Sequence, residues 1–191
     1  TGSAQDALFA ALAKMRWQPA VRTLPPYHDH PDYIAMLASQ ALRAFAGMPR
    51  RPDALLLSFH GMPERTLHLG DPYHCHCAKT ARLLAEALAG EFTGPVEMSF
   101  QSRFGRARWL GPSTEEMLQK MVRRNITNIA VMAPGFSSDC LETLEELEIR
   151  GRETFISAGG HSFFYVACAN DMVNAINMYE KMIRTELAGW I

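Results

Sequence analysis

Asp53-Ala54-Leu55-Leu56-Leu57-Ser58-Phe59-His60-Gly61-Met62-Pro63 sets the architecture of this chain. Ala54 to Leu57 is an unbroken apolar run preceded by turn residues, the pattern of a strand buried on both faces. Ser58, Phe59 and His60 carry that strand to its carboxyl end. Gly61 and Pro63 stop it, one by admitting unusual backbone angles, the other by lacking an N–H. A histidine is thereby delivered to the carboxyl rim of a buried strand, where open α/β sheets bind their ligands. The plainer alternative is an imidazole satisfied by loop carbonyls.

Outward from this strand the chain alternates. Leu8, Phe9, Leu12 and Met15 form an apolar stripe at helical spacing, with Ser3 and Asp6 resembling a capping box. Residues 19–24 read as a short strand closed by Pro25-Pro26. His30-Pro31 opens a helix running to about Phe45, with Tyr33, Ile34, Leu37, Ala41 and Leu42 on one face. Asp71-Pro72 opens another, to about Leu88. Strands are expected at 96–100, 128–133 and 163–167. Helices are expected from Pro112, over 139–150 and after a cap at Asn170. Strict alternation predicts one α/β domain over residues 1–191: a parallel sheet with helices on both faces, flavodoxin-like or Rossmann-like.

Composition narrows function. The 191 residues carry a net charge of -1, with 48% hydrophobic and 20% charged residues. No Lys/Arg run argues for nucleic acid, and no apolar run reaches the roughly 18 residues of a membrane span. The N-terminus lacks the basic-then-apolar pattern of a signal peptide. Cys75, Cys77, Cys140 and Cys168 do not form a disulfide framework, which suggests a reducing cytoplasm. Four cysteines could hold an iron–sulfur cluster, but their spacing matches no standard pattern, and free thiols are the simpler reading. Phosphate-binding glycine loops and a Gly-x-Ser-x-Gly elbow are absent.

A second stretch, residues 133–147, follows the strand at 128–133 and falls on the same rim as His60. Asp139, Glu142 and Glu146 are spaced to lie along one face of a helix. Such a row suits a hydrated divalent cation, because hard cations prefer oxygen; the alternative is a solvated acidic first turn favoured by the helix dipole. A histidine and a glutamate on one rim could move protons. His28-Asp29-His30 and His74-Cys75-His76-Cys77 are further metal candidates, though neighbouring residues at a helix start diverge. Trp109, between Gly105 and Gly111, could wall a planar ligand or fill the core.

Five motifs in order resemble bacterial-type ferrochelatase: residues 58–63 (Ser58-Phe59-His60-Gly61-Met62-Pro63), Gly70-Asp71-Pro72-Tyr73, residues 99–105 around Gln101, Trp109-Leu110-Gly111-Pro112, and residues 136–147 around Asp139-Cys140-Leu141-Glu142. The resemblance implies a lyase that inserts Fe²⁺, its substrate, into protoporphyrin IX in the last step of haem synthesis. It implies catalytic roles for His60 and Glu142, and metal contacts for His60, Glu142, Asp139 and Glu146. Trp109, Ser58 and Gln101 are expected to line the porphyrin. Some members have a His where this chain has Cys140.

In the family two similar α/β halves enclose the porphyrin, and this chain resembles the second half only. Its start at Thr1, without Met, fits a piece of a longer protein. Two alternatives follow: a half that binds porphyrin or metal without turnover, and a related tetrapyrrole chelatase using Co²⁺. Peripheral membrane contact, homodimerisation and pairing with a first half are left open.

Overall fold

The computed structural model describes residues 2–190. Strands β1 (Ala54–His60), β2 (Val96–Gln101), β3 (Asn128–Met132) and β4 (Ser162–Val166) form one sheet, in the order β2-β1-β3-β4. All three pairings are parallel. In register, Ser58 lies beside Ser99 and His60 beside Gln101, while Leu57 lies beside Met132. The order reverses between β1 and β3, so a crevice opens at their carboxyl ends.

Alternating side chains divide the core in two. Leu55, Leu57, Phe59, Ala130 and Met132 face one layer, built from α2 (Pro31–Ala46), α4 (Tyr73–Leu88) and α7 (Val173–Glu186). Leu56, Ile129, Val131 and Phe163 face the other, where α5 (Thr114–Arg123) contributes Met117, Leu118 and Met121 and α6 (Arg152–Ser157) contributes Phe155. The expected α/β sheet covered on both faces is present. Local chemistry explains the starts of its helices. Pro31 stands in the first turn of α2, whose cap His30 accepts from the Asp32 N–H at 3.2 Å. Ser113 and Glu116 form a capping box on α5. Asp71 accepts the Tyr73 N–H at 2.8 Å ahead of α4.

Four expectations are corrected. Residues 19–24 are not a strand: they are exposed and unpaired, because Pro19, Pro25 and Pro26 leave few donors for a ladder. Ser3 lies inside α1 (Gly2–Leu12) rather than capping it, and the position ahead of that helix is outside the described residues. Asn170 does not cap α7, which starts after Met172; its φ is +48° and its side chain turns to Asp139. The helix expected over 139–150 begins at Glu142 and is a π-helix to Gly151, continued by α6. A short helix not foreseen, α3 (Glu64–His68), follows Pro63.

Candidate active site

His60 ends β1 half-buried at the sheet's carboxyl rim. Its Nδ1 lies 2.7 Å from the Gly61 carbonyl oxygen. A carbonyl only accepts, so in the neutral ring Nδ1 carries the proton and the lone pair sits on Nε2. Nε2 has no hydrogen-bond partner among the described residues. One nitrogen of this histidine is therefore satisfied by a loop carbonyl, and the other is left without a partner. Tyr73 fixes the backbone beneath, donating from its hydroxyl to the His60 carbonyl at 2.8 Å. Burial pushes the Tyr73 phenol above its ordinary value, so it remains a donor.

Trp109 reaches this point from the loop after β2. Pro63 bridges to Trp109, the Leu110 N–H donates to Met62 O at 2.9 Å, and the Glu64 N–H donates to Arg108 O at 2.8 Å. The indole lies against Gly61, where a Cβ would stand 2.6 Å from Gln101 O and 3.1 Å from the ring. Glycine is required there by close approach, which seats the indole on the residue that follows His60. Phe104 packs against the same indole, with ring centroids 4.9 Å apart.

Glu142 opens the π-helix. Its Oε2 accepts a hydrogen bond from the Cys140 thiol at 3.1 Å. That bond, then the helix backbone and the nearby His60 charge, hold its carboxyl below the usual glutamate range. Glu142 is thus ionised at neutral pH and close enough to feel His60. Its carbonyl accepts from Gln101 Nε2 at 2.9 Å, tying the helix to the end of β2.

The other expected carboxylates are placed differently. Asp139 precedes the helix and turns inward: Oδ1 accepts from Tyr165 (2.7 Å), Cys168 N (3.1 Å) and Thr143 (3.2 Å), and Oδ2 from Asn170 (2.7 Å). Burial raises its pKa, but the bonds from Asn170, Tyr165 and Cys168 outweigh that and leave it lowered. Glu146 accepts from Ser102 N at 2.7 Å and Ser102 Oγ at 2.6 Å. Ser102 has a φ of +63°, a strained angle held by that pair of hydrogen bonds. The expected row of three carboxylates is therefore broken. The i→i+5 bonds of the π-helix change the spacing, and Asp139 is saturated by its own donors. Ser58 and Gln101 lie below the surface, 0% and 2% exposed, bonded to each other at 2.8 Å.

A cavity of about 950 Å³ opens at the crevice beyond β1 and β3, lined by His60, Met62, Tyr73, His28, His76 and Phe136 among others. His28 and His76 stack with centroids 3.7 Å apart, an arrangement the two His-rich motifs did not suggest. His74 instead lies over Phe100, and Cys77 is buried. All four thiols are free, and no group of three or more His, Cys, Asp or Glu able to hold a metal forms among the described residues. Tyr73, Tyr165 and Ser102 were missed as contributors. Tyr73 and Ser102 stood inside quoted motifs, whereas Tyr165 gave no signal because its role exists only once β4 lies beside the Asp139 loop.

Residues 1–187 match the protein family described as Ferrochelatase. The chain is 48% identical over 191 residues to a ferrochelatase of Agrobacterium fabrum, covering all of this chain and 55% of that protein. It is 47% identical to ferrochelatases of Chromobacterium violaceum and Nitrosomonas europaea, over 190 and 191 residues and 52% of each. The chain thus spans about half the length of the curated relatives it matches.

Proposed function

Because the chain belongs to the ferrochelatase family, we propose that it carries the metal-insertion residues of a longer protein that places Fe²⁺ in protoporphyrin IX. The product is protohaem, and two pyrrole protons leave as the metal enters. One observation supports this above the rest: a histidine with a free Nε2 stands near an ionised glutamate, with a tryptophan ring packed on the glycine that follows the histidine. His60 Nε2 accepts a pyrrole proton while Nδ1–H stays on Gly61 O, so the ring keeps its orientation through the transfer. The anionic Glu142 stabilises the imidazolium so formed, and takes the incoming cation or the second proton. Trp109 supplies a wall for the macrocycle. Glu146 is the second carboxylate on the metal side, whereas the saturated Asp139 acts on the loop that leads to Glu142.

A cytoplasmic location belongs to the same reading, supported by the four free thiols. No helix of the described residues is long and apolar enough to cross a membrane. Half-length coverage favours a second reading for this chain alone, in which it holds porphyrin or metal without turnover.

The test is metallation of protoporphyrin IX by the full-length protein under anaerobic conditions, followed by absorbance. His60→Ala and Glu142→Gln should each fold normally and lose about 100-fold or more in rate. Near-normal turnover in either would remove that residue's role. A spectral shift on mixing this chain with porphyrin, without metallation on adding Fe²⁺ or Co²⁺, supports the second reading.

A further inference from the structure

Gln101 lies at the last position of β2, beside His60 in register, and its amide reaches the first residue of the π-helix. Its orientation is fixed by elimination. The Glu142 carbonyl can only accept, so the amide nitrogen faces it at 2.9 Å. Oε1 therefore faces Ser58, which must donate its single hydroxyl proton, at 2.8 Å. With that proton committed, the 2.7 Å contact between Ser58 and Thr114 has Thr114 as donor. Thr114 has then spent its own proton, so Ser99 donates to it at 3.0 Å. The result is a one-way chain, Ser99 to Thr114 to Ser58 to Gln101 to Glu142. Its four side chains are all buried, none more than 6% exposed. Turning the amide over would set two carbonyl oxygens against each other in a buried place, leaving both without a donor.

We propose that Gln101 is a positioning residue for metal insertion: the hydroxyl chain locks its amide, and the amide locks the backbone of Glu142 relative to His60. This replaces porphyrin lining as the role of Gln101 and Ser58, since both are too buried to present an atom to a ligand. It rests on the functional reading above, and it concerns the metal side of the site rather than the porphyrin wall.

The experiment varies Fe²⁺ and protoporphyrin IX independently in the full-length protein. Gln101→Met removes the amide at similar volume. It should lower kcat/KM for Fe²⁺ by about tenfold, the scale of losing a residue that orients a metal-contacting group, with porphyrin KM within about twofold of wild type. Thr114→Val cuts the chain two links upstream and should shift the same parameter by about threefold in the same direction. Unchanged metal kinetics in both variants overturns the inference, as does a rise in porphyrin KM alone. If Gln101→Met does not fold, Thr114→Val decides by the same criterion. A wild type that does not metallate overturns the functional reading instead. Hydrogen exchange then judges the tie: amides of residues 142–147 should exchange faster in Gln101→Met while those of β3 stay unchanged, and equal exchange there refutes it.

Discussion

At the scale of single residues, Asp139 separates the two ways a carboxylate can serve this site. Four donors close on it, and Glu142 keeps one oxygen free of side-chain donors. Asp139 is consequently an organiser: it joins the loop after β3 to Tyr165 on β4 and to the turn before α7. Its lowered pKa fixes the sign of its pH dependence. A carboxylate depressed in the folded state contributes stability above its unfolded pKa of about 3.9, and that contribution fades as pH falls through the folded value. Asp139→Asn should therefore cost about 1–3 kcal/mol at pH 7, because an amide presents N–H to donors that need an acceptor. Urea unfolding should show the gap between variant and wild type narrowing steadily below about pH 4. A gap that persists unchanged at pH 3 would mean that ionisation of Asp139 is not what holds the loop. His60 shows the complementary arrangement. Its single committed nitrogen orients the ring and leaves the second nitrogen unbonded, which a fully bonded imidazole would not.

At the scale of elements, the parts legible in the sequence are those whose signal is local. The run Ala54 to Leu57 announced β1 because a strand buried on both faces has no polar alternation to confuse it. Pro31 and Pro112 announced the starts of α2 and α5 because helix-start signals are read within about four residues. The π-helix was not legible as one. Its buried positions, Thr143, Leu147 and Gly151, recur every four residues, wider than an α-helix, but Thr and Gly do not register as an apolar stripe. Nor was the Gln101–Glu142 tie legible, since its partners are 41 residues apart and meet only after the crossover closes. The run 19–24 misled because apolar content says nothing of whether a sheet edge is waiting. Gly61 lies between these cases: its place after the strand was evident, its reason was not. With Gln101 O 2.6 Å and the Trp109 ring 3.1 Å from where a Cβ would sit, Gly61→Ala must push apart β2 and the indole. The expected cost is about 1–3 kcal/mol in denaturant unfolding, with Trp109 fluorescence shifted to the red as its packing loosens. A variant as stable as wild type with unshifted emission would show that the loop after β2 moves freely against β1.

At the scale of the whole molecule, the two-layer core is complete around the sheet, but α1 takes no part in it. None of its residues is buried; Phe9 is 52% exposed, and Trp17 just beyond it is 80% exposed. On α7, Val173, Ile176 and Ile183 are likewise exposed on the side away from Met178 and Met182. Apolar surface of this kind stabilises nothing while it faces water, at roughly 25 cal/mol per Å² forgone. Removing residues 1–15 from this chain should therefore change its unfolding free energy by less than about 1 kcal/mol, because segments that bury no side chain open at little cost. The same deletion should lower the binding of an apolar fluorescent dye, since it takes away the exposed Leu8, Phe9 and Met15 together. Two results would contradict this. A loss of several kcal/mol would mean that the packing of Gly2, Ser3 and Gln5 against the cavity matters more than their burial indicates. Undiminished dye binding would place the accessible apolar surface on α7, where Ile176→Glu should then lower it.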